Sequence, residues 1–124
     1  GFPFYGGCVE YCTEVETKAG TVEIEIPEYY AALLHVELDE KQADVFAEPY
    51  TARFEKVAAG VHSLRLTAYG TRINTFGQLH NCNRKEEYYG PKSYRTSGKN
   101  WSYVYQLHQT GVTVAPIVRV LEEK

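Results

Sequence analysis

Leu34-His35-Val36-Glu37-Leu38 alternates apolar and polar side chains, and Asp39-Glu40-Lys41 then makes a tight polar connection to Ala43 and Val45. Period-two alternation on both sides of a short polar turn is the pattern of a β-hairpin. Residues 27–47 also carry many Ala, Leu, Glu and Lys, with Pro27 where a helix could begin, so propensity alone would make part of this region helical. The helical spacing fails on its own terms, because it sets Glu37 and Lys41 on the same stripe as Tyr30, Leu33 and Leu34. Strands are therefore expected.

The same alternation runs outward from this hairpin. Val22, Ile24 and Ile26 share one face of Thr21 to Ile26, with Thr21, Glu23 and Glu25 on the other. Val9, Tyr11 and Val15 read as an opening strand ended by Lys18-Ala19-Gly20. After Pro49, Ala52 and Phe54 resume; Gly60 turns the chain into Leu64, Leu66 and Ala68; Ile117 to Leu121 closes it. Trp101, Tyr103, Tyr105 and Leu107 alternate too and are expected as a late strand, with at least two of the three rings in the core. Turn signals between closely spaced strands predict an all-β fold, an antiparallel β-sandwich of the jelly-roll type.

With 124 residues the chain suits one domain, residues 1–124, with one core. Gly1 is not a natural initiator, so a piece of a larger protein is expected. A net charge of −3 supplies no basic field for nucleic acid or an anionic membrane. The apolar runs at Ala31–Leu34 and Val112–Ile117 fall far short of the roughly 20 residues that span a bilayer. Cys8 and Cys12 lie about 13 Å apart along an extended strand, too far for a disulfide. With Cys82 the count is odd, which leans towards reduced thiols and leaves the compartment open.

The ordered set Val36-Glu37-Leu38-Asp39-Glu40-Lys41, Pro49-Tyr50 and Gly60-Val61-His62-Ser63-Leu64 resembles the sugar-binding jelly-roll domain of glycoside hydrolase family 2 and its relatives. Tyr11 to Asn74 carries the likeness, and Gly1-Phe2-Pro3-Phe4-Tyr5-Gly6-Gly7 looks like the entry segment of such domains. Glu40 stands where the family usually has a turn glycine. The resemblance implies a galactose-binding-like accessory module, with catalysis in a separate domain of the parent.

No catalytic constellation competes with that reading. Glycoside hydrolysis needs two carboxyls about 5 to 10 Å apart across the scissile bond, whereas Glu86 and Glu87 are neighbours in a polar loop and read as solvated charge. No G-x-S-x-G elbow occurs, and His80-Asn81-Cys82 lacks a second metal-ligand pair. Asp39, Asp44 and Glu48 are the available candidates for a structural calcium ion and make no recognisable cluster, so calcium is left open and unassigned and no other cofactor is expected.

A sugar presents an apolar C–H face to aromatic rings and a rim of hydroxyls to amide and guanidinium groups. The segment from His80 to Trp101 combines these, and His80, Asn81, Tyr88, Tyr89, Tyr94, Arg95 and Trp101 are the candidate carbohydrate-binding or docking residues. Gly90-Pro91 and Ser97-Gly98 bracket Tyr94-Arg95 with turns. The alternative partner for the same loop is the catalytic domain of the parent protein.

Overall fold

The structure, a computed structural model, describes residues 2–122. The chain divides into two compact units, one made of Cys8–Gly70 and Thr110–Lys124 and the other of Gly1–Gly7 and Thr71–Gln109. The larger unit is the sandwich. Its strands are β1 (Cys8–Thr17), β2 (Gly20–Glu25), β3 (Tyr29–Tyr30), β4 (Leu33–Leu38), β5 (Lys41–Val45), β6 (Thr51–Val57), β7 (Gly60–Tyr69), β8 (Gly111–Val112) and β9 (Ile117–Leu121). A four-stranded sheet runs β1-β7-β4-β5, a three-stranded sheet runs β6-β2-β9, and β3 pairs with β8; every pairing is antiparallel.

Each strand read from the sequence in this unit is present, and the alternation sorts the faces as expected. Val22, Ile24, Ile26, Leu34, Val36, Leu38, Ala52, Phe54, Leu64, Leu66 and Ala68 are buried in one apolar cluster between the sheets. Register explains the sorting: Val36 lies opposite Leu66 and Ala43, and Ile24 lies opposite Ala52 and Val118, so apolar rows face inward together. Val9 and Tyr11 follow the inward row of β1 yet stay 38% and 37% exposed, because β1 is the outermost strand of the wider sheet. The expected strand at Trp101 to Leu107 does not form. That segment belongs to the smaller unit, has only an isolated Asn81–Trp101 bridge, and leaves Tyr103, Tyr105 and Leu107 exposed. Alternation produces a strand only where a neighbouring strand accepts its backbone bonds, and none is there.

Turn chemistry holds the sandwich at one point above all. Asp39, first residue of the β4–β5 turn, adopts φ 52°, a left-handed conformation that Asp tolerates better than most residues. Its N–H donates to the Ser63 carbonyl (2.9 Å) and its Oδ1 accepts from the Ser63 N–H (2.8 Å). Its Oδ2 lies 2.6 Å from Nδ1 of His62, whose Nε2 lies 2.9 Å from the Ala58 carbonyl oxygen. Both partners of this buried ring are acceptors, so only the imidazolium, with a proton on each nitrogen, satisfies them. Accordingly, hydrogen bonding to Asp39 raises the His62 pKa above the ordinary imidazole value and the same bond lowers that of Asp39. Lys41 adds a tie between sheets, donating from Nζ to the carbonyl oxygens of Glu55 and Lys56 on β6. Gly20, at φ 149°, is required in its turn, since a Cβ there would collide with the Leu121 carbonyl oxygen.

Two measurements check this architecture. Leu66→Ala should destabilise the fold by about 2 to 5 kcal/mol in denaturant unfolding. The pH dependence of stability should reveal the clasp. A raised His62 pKa stabilises fully below the ordinary imidazole pKa of about 6.5 and is lost as pH rises through the folded-state value. A lowered Asp39 pKa stabilises above the ordinary carboxylate pKa of about 4 and is lost as pH falls through its folded-state value. Stability should therefore peak between those two ranges, and His62→Gln should abolish its fall on the alkaline side of that window.

Candidate functional site

The smaller unit has a different construction. Among its described residues the regular elements are α1 (Ile73–Phe76) and a single 3-10 turn at Pro91–Ser93. Among its described residues Leu79 is the one buried apolar side chain. Polar contacts hold it instead. Buried Asn74 grips the backbone of His108 at both ends, its Nδ2 donating to the carbonyl and its Oδ1 accepting from the N–H, both at 2.8 Å. Asn74 makes this grip from the single turn of α1. Thr75 donates its hydroxyl to the Phe4 carbonyl (2.7 Å), fixing the entry segment.

Three backbone bonds lay residues 79–82 alongside 100–106: Cys82 N–H to Asn100, Ser102 N–H to His80, and Gln106 N–H to Leu79. This pairing generates a ladder of rings. Phe4 meets Tyr105 with centroids 5.1 Å apart, Tyr105 meets His80 at 5.0 Å, His80 meets Trp101 at 6.0 Å, and Trp101 meets Tyr103 at 4.2 Å. Tyr103 is 84% exposed and Trp101 and His80 are half-buried, so the ladder lies open to solvent. His80 Nδ1 lies 2.8 Å from the Ser102 carbonyl oxygen, which requires the proton on Nδ1. Among the described residues its Nε2 and the Trp101 indole N–H have no protein partner, so both are available to a ligand.

Two other candidates, Asn81 and Arg95, gather around Glu86. This carboxylate accepts from Asn81 Nδ2 at 2.5 Å and from the buried Ser93 hydroxyl at 2.8 Å, with Arg95 Nη2 at 3.7 Å. Arg95 Nε also donates to Asn81 Oδ1 (3.2 Å), which in turn accepts from the Asn83 N–H (3.0 Å). The bonds from Asn81 and Ser93, and then the Arg95 charge, hold the Glu86 pKa below the usual carboxylate range. Asn81 and Arg95 thus brace the loop from within, and Glu86 is a structural hub instead of the solvated charge expected of it. Glu87 is exposed.

The predicted site residues therefore separate. His80 and Trp101 join the ladder; Asn81 and Arg95 brace the loop; Tyr94 is exposed and ties its hydroxyl to the Phe76 carbonyl (2.9 Å). Tyr88 and Tyr89 project from the surface, Tyr88 beside a shallow depression lined by Glu86, Gly90, Pro91, Lys92 and Ser93. The sequence reading missed Tyr103 and Tyr105 as surface rings because their alternation imitates a core strand. It also missed Phe4 and Ser93; the Ser93 hydroxyl, in accepting from the Gly90 N–H (3.1 Å), closes the Gly90-Pro91 turn. Asp39 and Asp44, considered for calcium, are bonded to His62 and His35, and among the described residues no group of three acidic, histidine or cysteine side chains converges. The chain matches no protein-family model, and comparison with curated proteins and with solved structures yields no significant match.

The Glu86 hub generates a test of its own. A carboxylate with lowered pKa stabilises above the ordinary carboxylate range and stops doing so as pH falls through its folded-state value. Glu86→Gln should reproduce the acid effect at neutral pH, accelerating amide hydrogen exchange at residues 81–95 while the amides of Val22, Ile24 and Leu66 exchange as before.

Proposed function

We propose that the chain is a non-catalytic carbohydrate-binding accessory module of a glycoside hydrolase, with sugar held on the ring ladder from Phe4 to Tyr103. The observation that carries this reading is the ladder itself: five rings in continuous contact, open to solvent. Trp101 and Tyr103 offer faces for the C–H side of a pyranose. The Trp101 N–H, His80 Nε2 and the Tyr103 and Tyr105 hydroxyls offer donors and acceptors for its rim. Two points support a binding role over catalysis. Glu86 has its oxygens engaged by Asn81 and Ser93, and Glu87 is its sequence neighbour, so neither flanks an open site as a separated pair.

A second reading has an observation of its own. Phe2, Phe76 and Val104 are 85%, 65% and 71% exposed in the same unit and carry no group that a sugar hydroxyl could use. Several large apolar side chains left exposed are the raw material of a protein interface, which favours docking on the parent's catalytic domain.

A glycan array on the purified chain, followed by titration calorimetry on the best hit, separates the two. Sugar binding should be weak and nearly insensitive to salt, since a neutral ligand offers no charge attraction. Trp101→Ala and Tyr103→Ala should each weaken it by about tenfold or more, ~1.4 kcal/mol, with the melting temperature little changed. A silent array, together with tight binding to the remainder of the parent protein that Phe76→Ser or Val104→Ser weakens, would replace the sugar reading by docking.

A further inference from the structure

We propose that the free edge of β1 is a strand-addition site for an extended polypeptide segment that alternates apolar with lysine or arginine residues. This site lies on the sandwich and is independent of the sugar reading. β1 has ten residues, stands outermost in its sheet, and pairs with β7 alone. In an antiparallel ladder every second residue turns its N–H and C=O away from the neighbour, so β1 presents a row of such groups to its open side. Among the described residues, no backbone group from Val9 to Glu16 bonds to another backbone group outside the β1–β7 ladder. Natural edges are usually short, bulged or covered; this one is long, and its pairing with β7 runs from Cys8 to Thr17 without a register shift.

The side chains define the occupant. On the inward face Val9 and Tyr11 are more than a third exposed, and Tyr11 is fixed by the Val112 N–H donating to its hydroxyl (3.1 Å), over Gly111, where a Cβ would strike that oxygen. An added strand would cover this row with its own apolar residues. On the outward face lie Glu10, Glu14 and Glu16. Glu10 faces Arg65 at 3.7 Å, and Arg65 also reaches Glu37 at 3.6 Å. Among the described residues the carboxylates of Glu14 and Glu16 have no ion pair. Opposite charges on adjacent strands attract and like charges repel, so the open side of this edge favours a basic strand. The same charges disfavour a second copy: two-fold registers centred on Cys12, Thr13 or Glu14 set Glu10 against Glu14, Glu10 against Glu16, or Glu14 against itself.

The test is fluorescence anisotropy of the full chain with a labelled peptide of alternating valine and lysine, as long as β1, combined with hydrogen exchange on the complex. Binding should slow exchange at β1 amides, weaken as salt rises, and fall on the order of tenfold in the Glu14→Lys, Glu16→Lys double variant, whose circular dichroism should match the parent chain. A valine–glutamate peptide should not bind. A valine–lysine peptide N-methylated at every residue has no backbone N–H to donate to the edge and should lose binding as well; equal binding by it would reduce the effect to charge attraction and overturn the proposal. Absence of binding, protection confined to residues outside β1, or concentration-dependent dimerisation that protects β1 amides would overturn it too.

Discussion

The Asp39–His62 contact is the constraint on which the sandwich depends. A hairpin turn is ordinarily the loosest part of a sheet, free to twist away from the strand beside it. Here one carboxylate, at the left-handed first position of the β4–β5 turn, bonds both a backbone N–H and the side chain of successive β7 residues. That locks β4 against β7 at the end where their ladder stops, with Leu38 opposite Leu64 as the last pair. Register follows from the lock. A one-residue slip of β4 would turn Leu34, Val36 and Leu38 to solvent, and the clasp cannot form in the slipped arrangement. Lys41, two residues on, uses the same turn to reach β6 and ties the second sheet to the first.

This explains which parts of the fold were legible in the sequence. Val36-Glu37-Leu38-Asp39-Glu40-Lys41 shows its strand, its turn and its core face, because alternation and turn chemistry are local. The pairing of Asp39 with His62 joins residues 23 positions apart and has no local trace. Gly60-Val61-His62-Ser63-Leu64 shows only that a strand begins, since a histidine on an apolar row is equally compatible with a neutral buried ring. What distinguishes it is the acceptor at each nitrogen, and these come from the turn and from Ala58.

Trp101 to Leu107 shows the opposite failure. Its period of two is as clean as that of Thr21 to Ile26, and period alone cannot separate them. The difference is the partner. β2 has β6 on one side and β9 on the other, whereas residues 100–106 find only a short irregular alignment with 79–82. Without a sheet to bury one face, alternation merely spaces the rings of Trp101, Tyr103 and Tyr105 along one extended segment. The candidate site was half legible for the same reason: the aromatic and amide composition of residues 80–101 pointed to the right part of the chain. The division into a ring ladder and a Glu86-centred brace depends on side-chain contacts that composition does not encode.

The two units solve the problem of ordering a chain in contrasting ways, and the contrast bears on function. The sandwich removes apolar side chains from water and needs few polar clamps. Among its described residues the smaller unit buries one apolar side chain and relies on Asn74, Glu86, Ser93 and Arg95, groups whose bonds are directional and strong only when fully satisfied. Such a brace fixes loop geometry while leaving aromatic surface uncovered, which a conventional core would have consumed. Surface rings held in place lose little conformational freedom when a partner arrives. Asn81, which bonds Glu86 and bridges to Trp101, joins that brace to the ring ladder.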